Sequence, residues 1–128
     1  MDKRVDFGCS KRRPDAVYDF TYFYICLEID EDQHRSRSCE CEQGRMIQIH
    51  QDFGGSPVLF IRYNPDTYKD HIGKRHVPSK NRLKFLLDTM NGLKNRISIE
   101  KCWETHLSVM YLYYDGFNGE IQIEKINY

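Results

Sequence analysis

The sequence predicts a single α/β domain, and three observations support this. The chain has 128 residues, of which 40% are hydrophobic, with 19 basic and 19 acidic side chains, a composition that is typical of one compact domain with a real core. Short runs of branched and aromatic residues alternate with two longer segments of helical period. No repeat or low-complexity linker divides the chain. We therefore expect one domain over residues 1–128, made of a basic arm (1–13), a motif-bearing core (14–66), a basic loop (67–78), and a helix with a C-terminal β-hairpin (79–128).

The core should open with an antiparallel hairpin. Pro14 ends the basic arm, and residues 15–20 and 22–30 are rich in aromatic and branched side chains around a short break. Side chains alternate along a strand, so Glu28 and Asp30 should lie on one face, as two neighbouring carboxylates.

A helix and a buried strand should follow. Residues 40–53 predict a helix that ends at Gly54, with a core-facing side formed by Met46, Ile47, Ile49 and His50. Residues 57–62 are a short, continuous apolar run, typical of a central strand that is buried on both faces and parallel to an earlier strand.

The second half should hold one helix and a terminal hairpin. Residues 67–78 have no apolar period and are expected to form an exposed basic loop. Ser79 can cap a helix that runs to about residue 95, with a buried stripe of Leu83, Leu86, Leu87, Met90 and Leu93. Residues 107–114 and 120–126 alternate around a glycine-containing turn, which predicts the hairpin.

Composition also limits the compartment. No segment has the roughly 18–20 consecutive apolar residues of a membrane helix, and the first residues lack the apolar centre of a signal peptide. Five cysteines, an odd number, argue against a disulfide framework. We therefore expect an intracellular protein of the cytoplasm, nucleus or a viral factory, with no membrane partner and no secretion.

The zero net charge hides a segregation of charges. Residues 1–13 carry a net +3 and residues 69–96 a net +6, whereas residues 28–42 carry −4. Such an arrangement suits a metal-dependent nuclease, in which carboxylates hold the cation and basic residues hold the phosphate backbone. A mixed-charge surface is the alternative explanation. Asp15, Glu28 and Asp30 are the carboxylates that can converge from neighbouring strands.

The order of these residues resembles a known nuclease superfamily. Arg13-Pro14-Asp15, Glu28-Ile29-Asp30, Gln33-His34, Arg45 and Phe60-Ile61-Arg62 look like the PD-(D/E)xK superfamily, and within it the very-short-patch-repair-like endonucleases. Uncharacterised proteins of giant DNA viruses and protists are more similar still. The resemblance spans residues 8–66.

The resemblance implies a restriction-endonuclease-like mixed sheet flanked by helices, and a DNA endonuclease that uses Mg²⁺ or Mn²⁺ and no small-molecule cofactor. By resemblance, Asp15 and Glu28 are metal ligands. Asp30 stands where the superfamily usually has a lysine, and is expected to bind metal or position water. His34 is then a candidate for proton transfer, and Arg45 for phosphate stabilisation.

Each role has an alternative. His34 could be a solvated loop residue, and Arg45 could simply pair with Glu42, three residues earlier on the helix. Cys9, Cys39 and Cys41, with one histidine, could hold a structural Zn²⁺ ion, although small buried thiols are common.

DNA binding is assigned to basic residues on both sides of the carboxylates, namely Lys11, Arg12, Arg13, Lys74 and Arg75. Two other functions compete with the nuclease: a catalytically inactive nucleic-acid-binding module, and a structural or interaction domain of a viral or mobile-element protein. A homodimer is left open.

Overall fold

The chain folds into a five-stranded sheet with one helix on each face. The computed structural model describes residues 14–20, 23–31, 39–100 and 107–126. The elements in chain order are β1 (Ala16–Asp19), β2 (Tyr24–Ile29), α1 (Cys39–Asp52), β3 (Val58–Tyr63), β4 (Tyr68–Lys69), β5 (Arg75–His76), α2 (Lys80–Glu100), β6 (Leu107–Leu112) and β7 (Ile123–Lys125).

The sheet is mixed, with the strand order β1-β2-β3-β6-β7. Strands β2, β3 and β6 are parallel, and the two outer strands are antiparallel to their neighbours. The predicted opening hairpin, the parallel central strand and the C-terminal hairpin are therefore confirmed.

The helices divide the core into two layers. Met46 of α1 packs with Cys26, Val58 and Phe60 on one face of the sheet. Leu86, Met90 and Leu93 of α2 pack with Ile25, Leu59 and Ile61 on the other. All six residues of β3 are buried because helices cover both of its faces, as its continuous apolar run predicts.

The two helical connections have opposite hands. Each of them moves one position along the sheet in the same direction, from β2 to β3 and from β3 to β6. Their helices nevertheless lie on opposite faces. One of the two connections is therefore an exception to the strong right-handed preference of parallel crossovers.

Two predictions about the second half need correction. The segment 67–78 is not an irregular loop, because β4 and β5 pair within it as a small antiparallel ribbon. The predicted buried stripe of α2 is also only partly correct. Leu86, Met90 and Leu93 are buried, but Leu83 and Leu87 are 55% and 53% exposed. The buried positions next to the stripe are instead polar, Arg82 and Thr89.

Helix α1 ends close to the predicted residue. Gly54 has a φ of 73°, a left-handed conformation that glycine adopts without strain. Its amide donates to the carbonyl oxygen of Gln51 at 2.9 Å. Within the described ranges, neither helix is both long and apolar enough to span a bilayer.

Candidate functional site at the carboxyl edge of the sheet

Polar side chains form a row across the face of the sheet that α1 covers. Glu28 of β2 is in register with Arg62 of β3, which is in register with Tyr111 of β6. Continuing the outer registers by one residue places Asp15 opposite Glu28 and Gln122 opposite Tyr111. This cross-strand row lies near the carboxyl ends of the three parallel strands. That edge is where open α/β sheets usually bind ligands.

Glu28 forms a buried ion pair with helix α1. Nη2 of Arg45 donates to Oε2 of Glu28 at 2.5 Å, and the two side chains are only 5% and 3% exposed. Burial raises the pKa of the Glu28 carboxyl, and the charge and hydrogen bond of Arg45 oppose this rise. The pair thus offsets part of the cost of placing a carboxylate in an interior strand.

Asp30 is held by a second arginine. Nε of Arg62 donates to Oδ2 of Asp30 at 2.6 Å, and Nη2 of Arg62 donates to Oε1 of Glu42 at 2.6 Å. Burial alone would lower the pKa of Arg62, but the bonds to Asp30 and Glu42 outweigh it and raise that pKa. Arg62 therefore joins the end of β2 to the first half of α1.

These four charges on β2, β3 and α1 alternate in sign. Glu28 and Arg62 are register partners on adjacent strands, and Glu42 and Arg45 lie three residues apart on the helix. Each strand residue pairs with the oppositely charged helix residue. We call these four residues the charge square. Removing Arg45 would take away the arginine that pairs with buried Glu28, at a cost of about 3–5 kcal/mol.

Tyr114 also contacts Asp30. Its hydroxyl donates to Oδ2 of Asp30. Burial, followed by the charge of Asp30, raises the pKa of Tyr114. The preceding residue, Tyr113, has a φ of 65°, which interrupts the alternation of β6. As a result Tyr113 packs on the α2 side while Tyr114 reaches the α1 side, where its ring contacts Tyr111 at a centroid distance of 4.9 Å.

Asp15 lies at the exposed end of the row. Its Oδ2 accepts a hydrogen bond from the amide of Ile29 at 2.6 Å, so it sits beside the peptide that joins Glu28 to Asp30. No cluster of three or more histidine, cysteine, aspartate or glutamate side chains suited to a metal occurs among the described residues.

The described side chains of the site carry more negative than positive charge. The charge square with Asp15 and Asp30 contains four carboxylates and two guanidinium groups, so these six side chains together have a formal charge of −2. Asp15 and Glu28 lie on adjacent strands at opposing positions.

Several predicted residues lie outside the described residues. These are His34, Cys9, Lys11, Arg12 and Arg13.

The cysteines differ from the expectation of free thiols. The side chain of Cys39 is not described, whereas Cys41 forms a disulfide bond whose partner lies outside the described side chains. A disulfide sulfur is not a thiolate, so this bond and a zinc site that uses Cys41 are mutually exclusive. Cys26 is a free thiol in the core. Burial raises its pKa to about 12, which makes it chemically inert.

Lys74 and Arg75 lie on the small ribbon formed by β4 and β5, and both are exposed. Asp70 fixes the turn of this ribbon: its Oδ1 accepts from the amides of Ile72 and Lys74 at 3.0 and 2.8 Å, and its Oδ2 lies 2.8 Å from Nε2 of His76. Mainly because of the hydrogen bond with His76, the pKa of Asp70 is lowered to about 2. The two basic side chains are thus carried by a firmly shaped turn.

Arg82 attaches this ribbon to the domain. It is 4% exposed. Its guanidinium donates to the carbonyl oxygens of Asp66 and His76 at 2.6 and 3.3 Å and lies over the rings of Tyr68 and Tyr113, at 5.1 and 4.9 Å from their centroids. Although Arg82 belongs to the basic segment, it serves the fold and is not available to phosphate.

Sequence reasoning found part of the site. Glu28, Asp30 and Arg45 do lie together at this site. The helical spacing suggested Glu42 as the partner of Arg45, whereas the structure pairs Arg45 with Glu28. The roles of Arg62 and Glu42 as the second pair were not predicted. One feature of the sequence could have indicated the second pair. Arg62 stands at the end of an apolar run that was predicted to be buried, and a buried arginine needs an acidic partner. The acidic residues around Glu28 are candidates for that partner.

Comparison of the chain with protein-family models, with curated proteins and with solved structures finds no match.

Proposed function

We propose that the protein is a magnesium-dependent DNA endonuclease whose site is the acidic end of the cross-strand row. The observation that carries this proposal is the convergence of three carboxylates, Asp15, Glu28 and Asp30, at the end of one strand. A divalent cation held by carboxylates of this group would bind a DNA phosphate at the carboxyl edge of the sheet.

The residues of the site would have different roles in metal binding and positioning. Asp15 and Glu28 would hold Mg²⁺, which when bound polarises a phosphate oxygen and acidifies a water molecule. Asp30 is fixed by Arg62 and Tyr114, so its carboxylate has one orientation and serves to position groups around the site. The charge and hydrogen bond of Arg45 oppose the rise that burial causes in the pKa of Glu28.

Phosphate contacts come from other groups. The guanidinium of Arg45 would donate to a phosphate oxygen in addition to Glu28, because an arginine has five N–H donors. His34, with a side-chain pKa near neutrality in water, is the proton carrier that the sequence resemblance suggests. Lys74 and Arg75, on the ribbon that follows β3, would contact the backbone of the DNA.

A specific observation favours a second function, a catalytically inactive nucleic-acid-binding module. Glu28 and Asp30 are 2% and 0% exposed, and each is paired with an arginine. In this alternative the charge square only holds α1 on the sheet, and the exposed basic residues bind DNA without cleavage.

The two functions are separated by a cleavage assay with a charge-only variant. Plasmid, nicked and branched DNA are incubated with the protein in Mg²⁺ or in EDTA. Asp15→Asn keeps an acceptor for the amide of Ile29 but removes the charge. We expect Mg²⁺-dependent cutting by the wild type and a loss of about 100-fold or more in Asp15→Asn.

Asp19→Asn, at the other exposed end of β1, is the matched control and should cut at the wild-type rate. Salt-dependent DNA binding with no cutting in Mg²⁺ or Mn²⁺ would favour the binding module. Undiminished cutting by Asp15→Asn would contradict the assignment of the metal ligands.

A further inference from the structure

Helix α1 is fastened near its start by the disulfide bond of Cys41. Cys41 is the third residue of the helix, which begins at Cys39, and it is partly exposed. Of the five cysteines in the chain, Cys26 is a free thiol, so the partner of Cys41 is Cys9, Cys39 or Cys102. The bond is a covalent restraint on the first turn of α1 that the nuclease proposal does not use.

This restraint lies beside both helix residues of the charge square. Glu42 directly follows Cys41, and Arg45 stands four residues after it, on the same side of the helix. Glu42 accepts from Arg62 at 2.6 Å, and Arg45 donates to Glu28 at 2.5 Å. The disulfide is therefore within about one helical turn of both ion pairs.

The first turn is also the part of α1 that opens most easily. Amides at the start of a helix have no carbonyl partner inside the helix, and local opening costs least at such ends. Further along, Met46 anchors α1, because it is 2% exposed and packs with Cys26, Val58 and Phe60. Residues 39–45 can therefore open while the rest of the helix stays on the sheet.

The same residues close off the carboxylates of the candidate site. Glu28 and Asp30 are 2% and 0% exposed, and each is bonded to an arginine of the charge square. Arg45 and Glu42, which belong to the first half of α1, hold these pairs together from above. A DNA phosphate can reach carboxylates at this depth only when the protein above them moves.

We propose that the Cys41 disulfide is a redox-controlled clamp, which holds residues 39–45 over Glu28 and Asp30 when it is oxidised and lets them open when it is reduced. The disulfide form is therefore closed, and the dithiol form gives access to the carboxylates. This inference rests on the proposed function, because it describes the regulation of the same site.

The switching step is thiol–disulfide exchange with a dithiol reductant. A thiolate of the reductant attacks one sulfur of the protein disulfide, the S–S bond breaks, and the other cysteine leaves as a thiolate that takes up a proton. The second thiol of the reductant then attacks the mixed disulfide, which releases the first cysteine and closes a disulfide in the reductant. In total, two electrons and two protons pass from the dithiol to the two cysteines.

Cys41 is suited to this exchange. The residue is partly exposed, so a reductant can reach it, and accessible disulfides are the more easily reduced ones. A thiolate in the first turn of a helix is also stabilised by the positive end of the helix dipole, which favours its departure. Cys26, in contrast, is completely buried, and burial raises its pKa to about 12, so it takes no part.

The test compares hydrogen exchange of oxidised and reduced protein by mass spectrometry, a readout that needs neither metal nor DNA. One sample is oxidised with glutathione disulfide and the other is reduced with dithiothreitol. We expect the amides of residues 42–45 to exchange about 10-fold faster after reduction, whereas those of β3 should change by less than about 2-fold. Cys41→Ser should exchange at the fast rate in both conditions. Cys26→Ala, which keeps the disulfide, is the matched control and should retain the difference.

DNA cutting in Mg²⁺ is measured on the same two samples, and the reduced protein should cut about 10-fold faster because more of it is open. Equal hydrogen exchange in the two samples, or no disulfide at Cys41 after oxidation, would overturn the clamp whatever the result with DNA. Faster exchange with equal cutting would also overturn it, since the site would then not depend on opening. Faster exchange with no cutting in either sample would leave the clamp on α1 standing and overturn the proposed nuclease function.

Discussion

Replacement of Arg45 by methionine tests the buried charge square directly. The substitution keeps most of the side-chain volume but removes the guanidinium that contacts Glu28 at 2.5 Å. Because both side chains are almost completely buried, Glu28 would be left as an uncompensated charge. Breaking a buried ion pair in this way costs about 3–5 kcal/mol. For a chain of 128 residues, this corresponds to a fall in Tm of roughly 10–20 °C.

The loss of stability in Arg45→Met should depend on pH, because it depends on whether Glu28 is ionised. Burial raises the pKa of this carboxyl above its ordinary value of 4.5, and Arg45 opposes the rise. Arg45→Met therefore raises the folded-state pKa further. A carboxyl with a raised folded pKa contributes stability that is fully present below the unfolded pKa and lost as pH rises through the folded pKa. The penalty of Arg45→Met should be largest at pH 7.5 and should shrink as the pH falls toward 4.5.

The assay is urea unfolding, followed by circular dichroism at both pH values, for the wild type and three variants. The double variant Arg45→Met with Glu28→Gln removes both charges and should recover a large part of the loss. Lys84→Met breaks the exposed pair with Asp88, whose side chains are 77% and 64% exposed, and should cost no more than about 0.5 kcal/mol. A loss below about 1 kcal/mol in Arg45→Met, or a double variant no more stable than the single one, would refute the reasoning.

Two further predictions concern single hydrogen-bonded groups. Tyr114→Phe removes the hydroxyl that donates to buried Asp30 and should reduce the free energy of unfolding by about 1–3 kcal/mol at pH 7. Tyr18→Phe, at an exposed position, is the control and should have little effect. Equal effects of the two substitutions would count against a structural role for the Tyr114 hydroxyl. Asp70 has its pKa lowered to about 2, chiefly by the hydrogen bond with His76, so its contribution to stability is present above about pH 4 and is lost as pH falls through 2. Asp70→Asn should therefore lower the urea midpoint at pH 6 and have a much smaller effect at pH 2, and a difference of the same size at both values would contradict this assignment.

Local patterns in the chain were sufficient to predict the class and order of the main elements. Residues 57–62 form an apolar run that can only be stable when covered on both sides, and β3 is indeed buried along its whole length. The alternation of residues 107–114 and 120–126 likewise predicted the C-terminal hairpin, because a period of two is a local property of the chain. Gly54 marked the end of α1 for a similarly local reason, since glycine favours the left-handed conformation found there.

Helical spacing was less informative about which face is buried. Leu83 and Leu87 fit the apolar stripe of α2 but are exposed, whereas Arg82 is buried. The reason lies in the tertiary structure: the ribbon of β4 and β5 places carbonyl oxygens and the ring of Tyr68 beside the helix, and Arg82 satisfies them. A pattern of apolar residues cannot reveal a neighbour that offers backbone acceptors.

The candidate site shows the same division. Alternation along β2 placed Glu28 and Asp30 on one face, and this followed from the sequence alone. Their partners did not, because the pairing of Asp30 with Arg62, 32 residues later in the chain, depends on the register between β2 and β3. The strand register of the folded sheet decides which residues form such long-range ion pairs. A buried carboxylate needs a hydrogen-bond donor, and the donor it obtains is the one that the fold places next to it.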